Sequence, residues 1–555
     1  MLKSMLMAAA AMTAASAAYA QPAPRLDGQL QQIPPAPVLE APKPEIGIVQ
    51  PTQAPDAAPA GAAFQVNTLQ VTGATLFSEA DLIATTGFSP GASLTLPELR
   101  NKAAAIAAHY NSRGYFLAQA YLPAQDIKDG VVTIAVIEGR YGAIELRNET
   151  RLSDGVARRM MGGLRSGEVV AIAPLERSLL LLSDTPGILV KSTLAPGAEA
   201  GTSNLTVDIA QGRRVTGSLE ADNAGSRYTG EYRFGGSVNF NNPTGLGDQI
   251  SLRILASTDG LAYGRLGYQA PVGEATLGVS YTHLTYELGR EFEALDATGT
   301  ADIVSVYGSY PLVRARDRNL YAFAAVDAKV LKDEIGLGSQ VSDKNSQALT
   351  VGLRGNARDD FGGGGWTDYS LSWTTGTLEL ESPLDKAADA LTANTDGTFN
   401  KIQFSLSRLQ SVRGPFSVYG AVRGQIATDN LDSSEQMELG GAYAVRAYPE
   451  GEAYGDEGYV ATIEARFMLD QWTKPLPGRF QLFGFVDAGQ VRFAHDPWFP
   501  GSNDTSRSGY GVGLLWSGPQ NLIVKASYAR KLGDEVATSA PDEDGRAWFQ
   551  VVKLF

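Results

Sequence analysis

The sequence predicts two small α+β units followed by an all-β transmembrane barrel of about 16 antiparallel strands. The barrel is read from apolar–polar alternation that begins after Gly212 and runs to Phe555. The α+β units are read from a strand–helix–helix–strand–strand order that occurs twice between Phe64 and Ala210. Residues 1–20 add a location: Lys3, an apolar core from Leu6 to Ala18 and the small-x-small site Ala18-Tyr19-Ala20 form a secretory leader. The mature chain is therefore expected in the periplasm or outer membrane of a bacterium.

Residues 21–63 contain ten of the 28 prolines and almost no aromatic side chain, so they are expected to be an extended linker. One part of it, Arg25 to Ile33, lacks proline, and Leu26, Leu30 and Ile33 have the i, i+4, i+7 spacing of a short helix. The first α+β unit, 64–139, opens with the strand residues Phe64, Val66, Leu69 and Val71. Ser78 is a candidate N-cap for a helix to Thr86, and Pro97 to Arg113 is a longer helix stopped by Gly114. Tyr115 to Leu122 and Val131 to Ile137 alternate as strands. The second unit, 140–211, repeats the order with Ile144 and Leu146, helices at Val156 to Leu164 and Leu175 to Leu182, and strands at Ile188 to Leu194 and Leu205 to Ile209.

In the region 212–555, Ile250, Leu252, Ile254 and Ala256 alternate with Ser251 and Arg253, and Leu522, Val524, Ala526 and Tyr528 with Lys525 and Ser527. One apolar and one polar face, strand after strand, describes a wall with lipid outside and water inside. Counting segments gives about eleven strands before a glycine-rich loop at 439–458 and about five after it, an even total with room for an aqueous lumen.

That loop, Leu439 to Gly458, carries one arginine, Arg446, among Gly440, Gly441, Gly451 and Gly455. About thirty residues on, Phe485-Val486-Asp487-Ala488-Gly489 sets a lone aspartate in an apolar strand. Phe483, Phe485 and Asp487 share one face of that strand, and Leu482, Val486 and Ala488 share the other. The purely apolar face belongs to lipid, so Asp487 points into the lumen, where an unpaired carboxylate would be costly. A loop folded back through the barrel would let Arg446 meet it.

Val445-Arg446-Ala447-Tyr448 and the Phe485-x-Asp487-x-Gly489 strand closely resemble the arginine loop and aspartate strand of two-partner (type V) secretion transporters, of haemolysin-activator and filamentous-haemagglutinin-transporter type. Ala447 stands where that family usually has glycine, and a positive φ there would strain alanine by about 1 kcal/mol. Tyr110-Asn111-Ser112-Arg113-Gly114-Tyr115, Tyr121-Leu122-Pro123-Ala124-Gln125-Asp126 and Val136-Ile137-Glu138-Gly139 resemble the family's polypeptide-transport-associated (POTRA) domains. The terminal Phe555 resembles the outer-membrane assembly signal. The resemblance covers Phe64 to Phe555 and implies export of a large partner exoprotein, such as an adhesin, haemolysin or contact-dependent toxin, recognised through its N-terminal secretion domain. It implies a loop–barrel lock of Arg446, Asp487, Val445, Tyr448, Gly441, Phe485 and Gly489. It further implies a pore plug near Leu26, client contacts at Tyr115, Tyr121, Gln125 and Arg113, insertion by the barrel-assembly machinery, and contact with membrane lipid.

Composition narrows the alternatives. A net charge of −14 over 555 residues argues against nucleic acid as a partner. Zero cysteines exclude disulfides and thiolate metal sites, and His109, His283 and His495 are too scattered for a metal site or a serine triad. Gly362 to Gly365 lacks the lysine of a phosphate loop. No catalytic residue, cofactor or ATP site is therefore expected, and export would draw on folding of the client outside. An assembly factor for other barrels is the second reading; relatives with that role usually carry three or more periplasmic repeats, against two here. A porin or barrel enzyme leaves the two α+β units without a purpose.

Overall fold

Alternation closes the C-terminal part of the chain into a barrel of sixteen antiparallel strands, eleven before the arginine loop and five after it. The computed structural model describes residues 26–37, 44–48, 63–336, 340–470, 472–474 and 476–555. The leader expected at 1–20 lies outside the described residues. The first barrel strand, Val215–Asp222, pairs with the last, Gly545–Leu554, through five residue pairs from Ser218–Leu554 to Asp222–Gln550. Leu219, Phe234, Ile254, Val306, Ile463 and Val512 project outward, whereas Arg233, Ser237, Arg253, Thr282, Glu464 and Asp487 are buried inside. That division is the one an oily exterior and a polar interior demand.

The first α+β unit contains β2 (Phe64–Val66), β3 (Thr68–Thr72), α1 (Glu79–Thr85), β4 (Ala92–Leu94), α2 (Leu96–Ser112), β5 (Gln119–Tyr121) and β6 (Val131–Ile137); the linker before it supplies β1 (Glu45–Ile48). Ser78 caps α1 by accepting from the Asp81 N–H, as its position suggested. At α2, Thr95 and Glu98 form a reciprocal capping box that the sequence reading passed over. Gly114 follows α2 at φ 88°, a left-handed turn that only glycine takes without strain. Strand β5 is shorter than the stretch expected from Tyr115 to Leu122, because Tyr115 to Leu117 turn off α2 before pairing with β6 begins. Leu82, Leu99, Ile106, Tyr110, Val132 and Ile134 form the core.

The second unit contains β7 (Arg140–Asn148), α3 (Asp154–Met160), α4 (Ile172–Ser183), β8 (Ile188–Pro196) and β9 (Thr202–Gln211). Its sheet has the order β1-β8-β9-β7, so the linker contributes a strand, parallel to β8. This departs from a linker lying free of both units. Glu45–Ile48 pairs along the open edge of β8, and Ile46 packs on the core, an addition that main-chain bonding alone can drive. Helix α4 lies against short turns of the barrel, where Arg177 Nη2 meets Glu274 at 2.6 Å. Arg314 grips Asp184 with two bonds of 2.6 and 2.7 Å.

Candidate functional site

Strands Glu457–Met468 and Arg479–Arg492 pair so that Thr462 stands opposite Asp487. Asp487 has no solvent exposure, and Val486 beside it is 49% exposed on the outer face. The segment between strands Phe416–Ala427 and Glu457–Met468 turns into the barrel and pairs briefly with itself, Met437–Glu438 against Tyr454–Gly455. At its tip the Val445 N–H donates to the Leu439 carbonyl at 3.1 Å, and the Tyr448 N–H to the Val445 carbonyl at 3.0 Å. This tight fold aims Arg446 at the wall.

Arg446 is held on three sides. Its Nε donates to Asp487 Oδ2 at 2.8 Å and its Nη2 to Oδ1 at 2.7 Å, a bidentate fork. Its main-chain N–H also donates to Asp487 Oδ2, at 3.2 Å, and Nη1 donates to Glu464 Oε1 at 2.8 Å. The guanidinium carbon lies 3.4 Å from the centre of the Phe485 ring. Thr462 Oγ1 donates to Asp487 Oδ1 at 2.9 Å, and Arg466 Nε donates to Glu464 Oε2 at 2.8 Å. Trp548, on the last barrel strand, donates from Nε1 to the Arg446 carbonyl at 2.7 Å. Removing one member of such a buried set leaves a charge without a partner, which typically costs about 3–5 kcal/mol.

The remaining loop residues pack around this centre. Val445 and Tyr448 are fully buried, and the Arg507 guanidinium stands 5.1 Å from the Tyr448 ring centre. Gly441 has φ 105°, and a side chain there would run into the Glu450 carboxylate. At Gly489 an added Cβ would sit 2.7 Å from Leu439 Cδ1, so the loop approaches the wall closely there. Ala447 does not take a positive φ, and its methyl group packs against the backbone of Gly509 on the next strand. Alanine is therefore unstrained in the place of the usual glycine. The sequence reading missed Glu464, Trp548 and the Glu452–Arg507 pair, in which Arg507 Nη2 meets Glu452 Oε1 at 2.6 Å.

A second piece of chain occupies the lumen. Residues Leu26–Gln32 form a 3-10 helix, with three residues per turn, where an α-type spacing was read. Leu30 and Ile33 pack against Tyr228, Leu284 and Tyr286 of the wall region. Gln29 Oε1 accepts from Thr229 Oγ1 at 3.0 Å, and Gln32 Nε2 donates to Tyr454 Oη at 3.0 Å. The Gln32 carbonyl accepts from Arg233 Nη1 at 2.7 Å, and the Pro34 carbonyl accepts from Arg253 Nη1.

The four candidate client contacts divide. Tyr121 is 47% exposed on β5, and Arg113 is exposed at the end of α2. Tyr115 packs edge-on to Phe77, with ring centres 6.0 Å apart. Gln125 pairs with the Thr133 main chain on β6, accepting at 2.8 Å and donating at 2.7 Å. Glu138 closes the unit by accepting from the Thr75 and Leu76 N–H groups at 2.6 and 2.8 Å and from Tyr110 Oη at 3.0 Å. Burial alone would raise its carboxyl, but the bonds from Thr75, Leu76 and Tyr110 outweigh it and hold the group below the usual carboxylate value. Phe555 lies at the barrel seam, its main chain bonded both ways to Gly217 at 3.0 and 3.1 Å. Among the described residues no cluster of His, Asp and Glu is arranged to hold a metal ion.

The profile of the haemolysin secretion/activation family ShlB/FhaC/HecB matches residues 201–514, more than half of the chain. That of the ShlB-type POTRA domain matches residues 64–139. The heme/hemopexin transporter protein HuxB of Haemophilus influenzae is 27% identical over 84% of this chain and 82% of its own. The outer membrane transporter CdiB of Dickeya dadantii is 26% identical over 80% of this chain and 79% of its own. The solved structure of CdiB from Escherichia coli shares the fold, with a TM-score of 0.71 and 21% identity over 91% of this chain and 93% of that one. The chain belongs to the haemolysin secretion/activation family ShlB/FhaC/HecB and is an outer-membrane transporter of two-partner secretion, with a POTRA domain among its periplasmic N-terminal units and a partner protein as its cargo.

Proposed function

We propose that this transporter captures an unfolded exoprotein at its POTRA domains and passes it through the barrel without ATP, and that it is not an enzyme. The observation that carries the reading is the occupied lumen: loop and 3-10 helix lie inside the barrel and are bonded to it outside the strand ladder, and the helix, held by carbonyl and side-chain bonds, can leave without unfolding the wall. The Arg446–Asp487 fork is the lock that fixes the loop, and Leu26–Gln32 is the resting plug. Extended client segments add to free strand edges, where main-chain bonds bind without regard to sequence. Strand β5 of the first unit offers such an edge beside Tyr121 and Arg113, whereas β8 of the second is already covered by β1. The client is a large adhesin, haemolysin or contact-dependent toxin with an N-terminal secretion domain. The barrel-assembly machinery inserts the chain, with Phe555 as part of the signal, and the outward apolar face meets lipid. Deletion of residues 64–139 tests the capture step. The barrel should still insert while export stops; export at the parent level would contradict it.

A further inference from the structure

The plug is held to the wall by its main chain, through a pair of arginines that also bind carboxylates on the first barrel strand. Arg233 Nε donates to Asp222 Oδ1 at 2.8 Å while Nη1 takes the Gln32 carbonyl. Arg253 Nη2 donates to Glu220 Oε1 at 2.8 Å while Nη1 takes the Pro34 carbonyl. The two carbonyls are two residues apart, the interval at which an extended chain presents carbonyls on one side. Arg233, Arg253 and Asp222 are each more than nine-tenths buried. Among the described residues Arg233 Nη2 and Arg253 Nε still lack acceptors, and Asp222 Oδ2 lacks a donor. A buried guanidinium with an N–H unused is costly to keep, so the site has more bonding capacity than the plug fills. The plug is also poor in donors here, since Pro34 and Pro35 have no N–H. On its other side, Gln31 to Pro35 borders a cavity of 650 Å³ walled by Ser370, Ser372, Gln403 and Ser405, which leaves room for a strand of chain to shift or enter.

We propose that Arg233, Arg253 and Asp222 form a binding site for an extended polypeptide main chain, occupied at rest by Gln32–Pro34 and taken over by the client in transit. The ligand class is any extended, non-helical peptide. The arginines take its carbonyls at alternate residues, and Asp222 Oδ2 takes the N–H that the prolines of the plug cannot supply. Recognition of main chain alone suits a conduit that must pass a long chain of varied sequence. The proposal rests on the secretion reading, because only a translocated chain would meet this face of the lumen.

The test uses the full chain lacking residues 21–36, in planar bilayers. Two synthetic peptides are the probes: one with the sequence of residues 28–37, the other an unrelated uncharged Ser/Thr/Gly peptide of equal length. Both should block the open pore. In the Arg233→Lys/Arg253→Lys variant both blockades should shorten by about tenfold, since lysine keeps the charge facing Asp222 and Glu220 but loses the second arm of the fork. The open-pore conductance of the variant reports that its barrel is intact; if the double variant does not insert, Arg253→Lys alone is read the same way, with about a threefold shortening. Arginine-dependent blockade by the first peptide alone would make the pair a plug clamp and overturn the proposal, as would equal residence times in parent and variant. Export of the partner by the intact chain is measured separately, so failure of the secretion reading gives a different result from failure of this site.

Discussion

Two arginine sites hold two pieces of chain inside one barrel, and they grip different atoms. At the loop, Arg446 binds the carboxylates of Asp487 and Glu464, and its acceptors belong to the wall. At the plug, Arg233 and Arg253 already have carboxylate partners in the wall, and what they offer the plug is a spare N–H for a neutral carbonyl. The first contact cannot part without leaving buried charges unpaired. The second can, because the wall remains paired when the plug goes. The loop is thus built as part of the barrel and the plug as a removable guest, a difference that residue content alone does not reveal.

The largest effect should come from Arg446→Ala, which takes the fork from Asp487 and leaves Glu464 with Arg466 alone. A loss of about 3–5 kcal/mol is expected, read as a lower unfolding midpoint of the barrel in detergent. Deleting residues 21–36 should act the other way round. Single-channel conductance in planar bilayers rises, while the unfolding midpoint falls by much less than in Arg446→Ala. A midpoint drop as large as that of Arg446→Ala would erase the distinction between lock and guest. Smaller still is Gln32→Ala, which removes the bond to Tyr454 but keeps the carbonyl for Arg233. Loss of about 1 kcal/mol should make spontaneous openings about fivefold more frequent. Unchanged opening would mean that the side chain contributes nothing to plugging.

The smallest effect near neutrality concerns Glu138, a buried carboxylate held mainly by uncharged donors. Its folded value lies below the ordinary one, so its stabilisation is fully present above the unfolded value of about 4.3 and is lost as pH falls through the folded value. Hydrogen exchange over residues 64–139 of the full chain should be level from about pH 7 to pH 5 after correction for intrinsic rates, then accelerate in acid. Acceleration already above pH 5 would contradict that sign.

The loop was legible because its two halves each broke a local rule: an aspartate in an apolar strand, and an arginine in a run of glycines. The strand count was legible for a similar reason, since a two-sided wall repeats one pattern over many segments. Glu464 was hidden because it shares a lumen face with Arg466 and reads as ordinary polar lining. Trp548 was hidden because its role is a bond to a main-chain carbonyl, as are the roles of Arg233 and Arg253 at the plug. Strand β1 had only four residues in a proline-rich stretch, too few for a period to show. The capping box at Thr95 and Glu98, by contrast, was readable from spacing and was overlooked.

The most direct test of the lock is a charge exchange between residues 446 and 487, scored by export of the partner and by barrel insertion. Arg446→Asp and Asp487→Arg should each insert yet lose export, because each breaks the fork and buries like charges, the first against Asp487 and Glu464, the second against Arg446. Combined, Arg446→Asp with Asp487→Arg should restore part of it. If both single variants export at the parent level, the fork seen between Arg446 and Asp487 is no lock, and the loop is held in the barrel by packing alone.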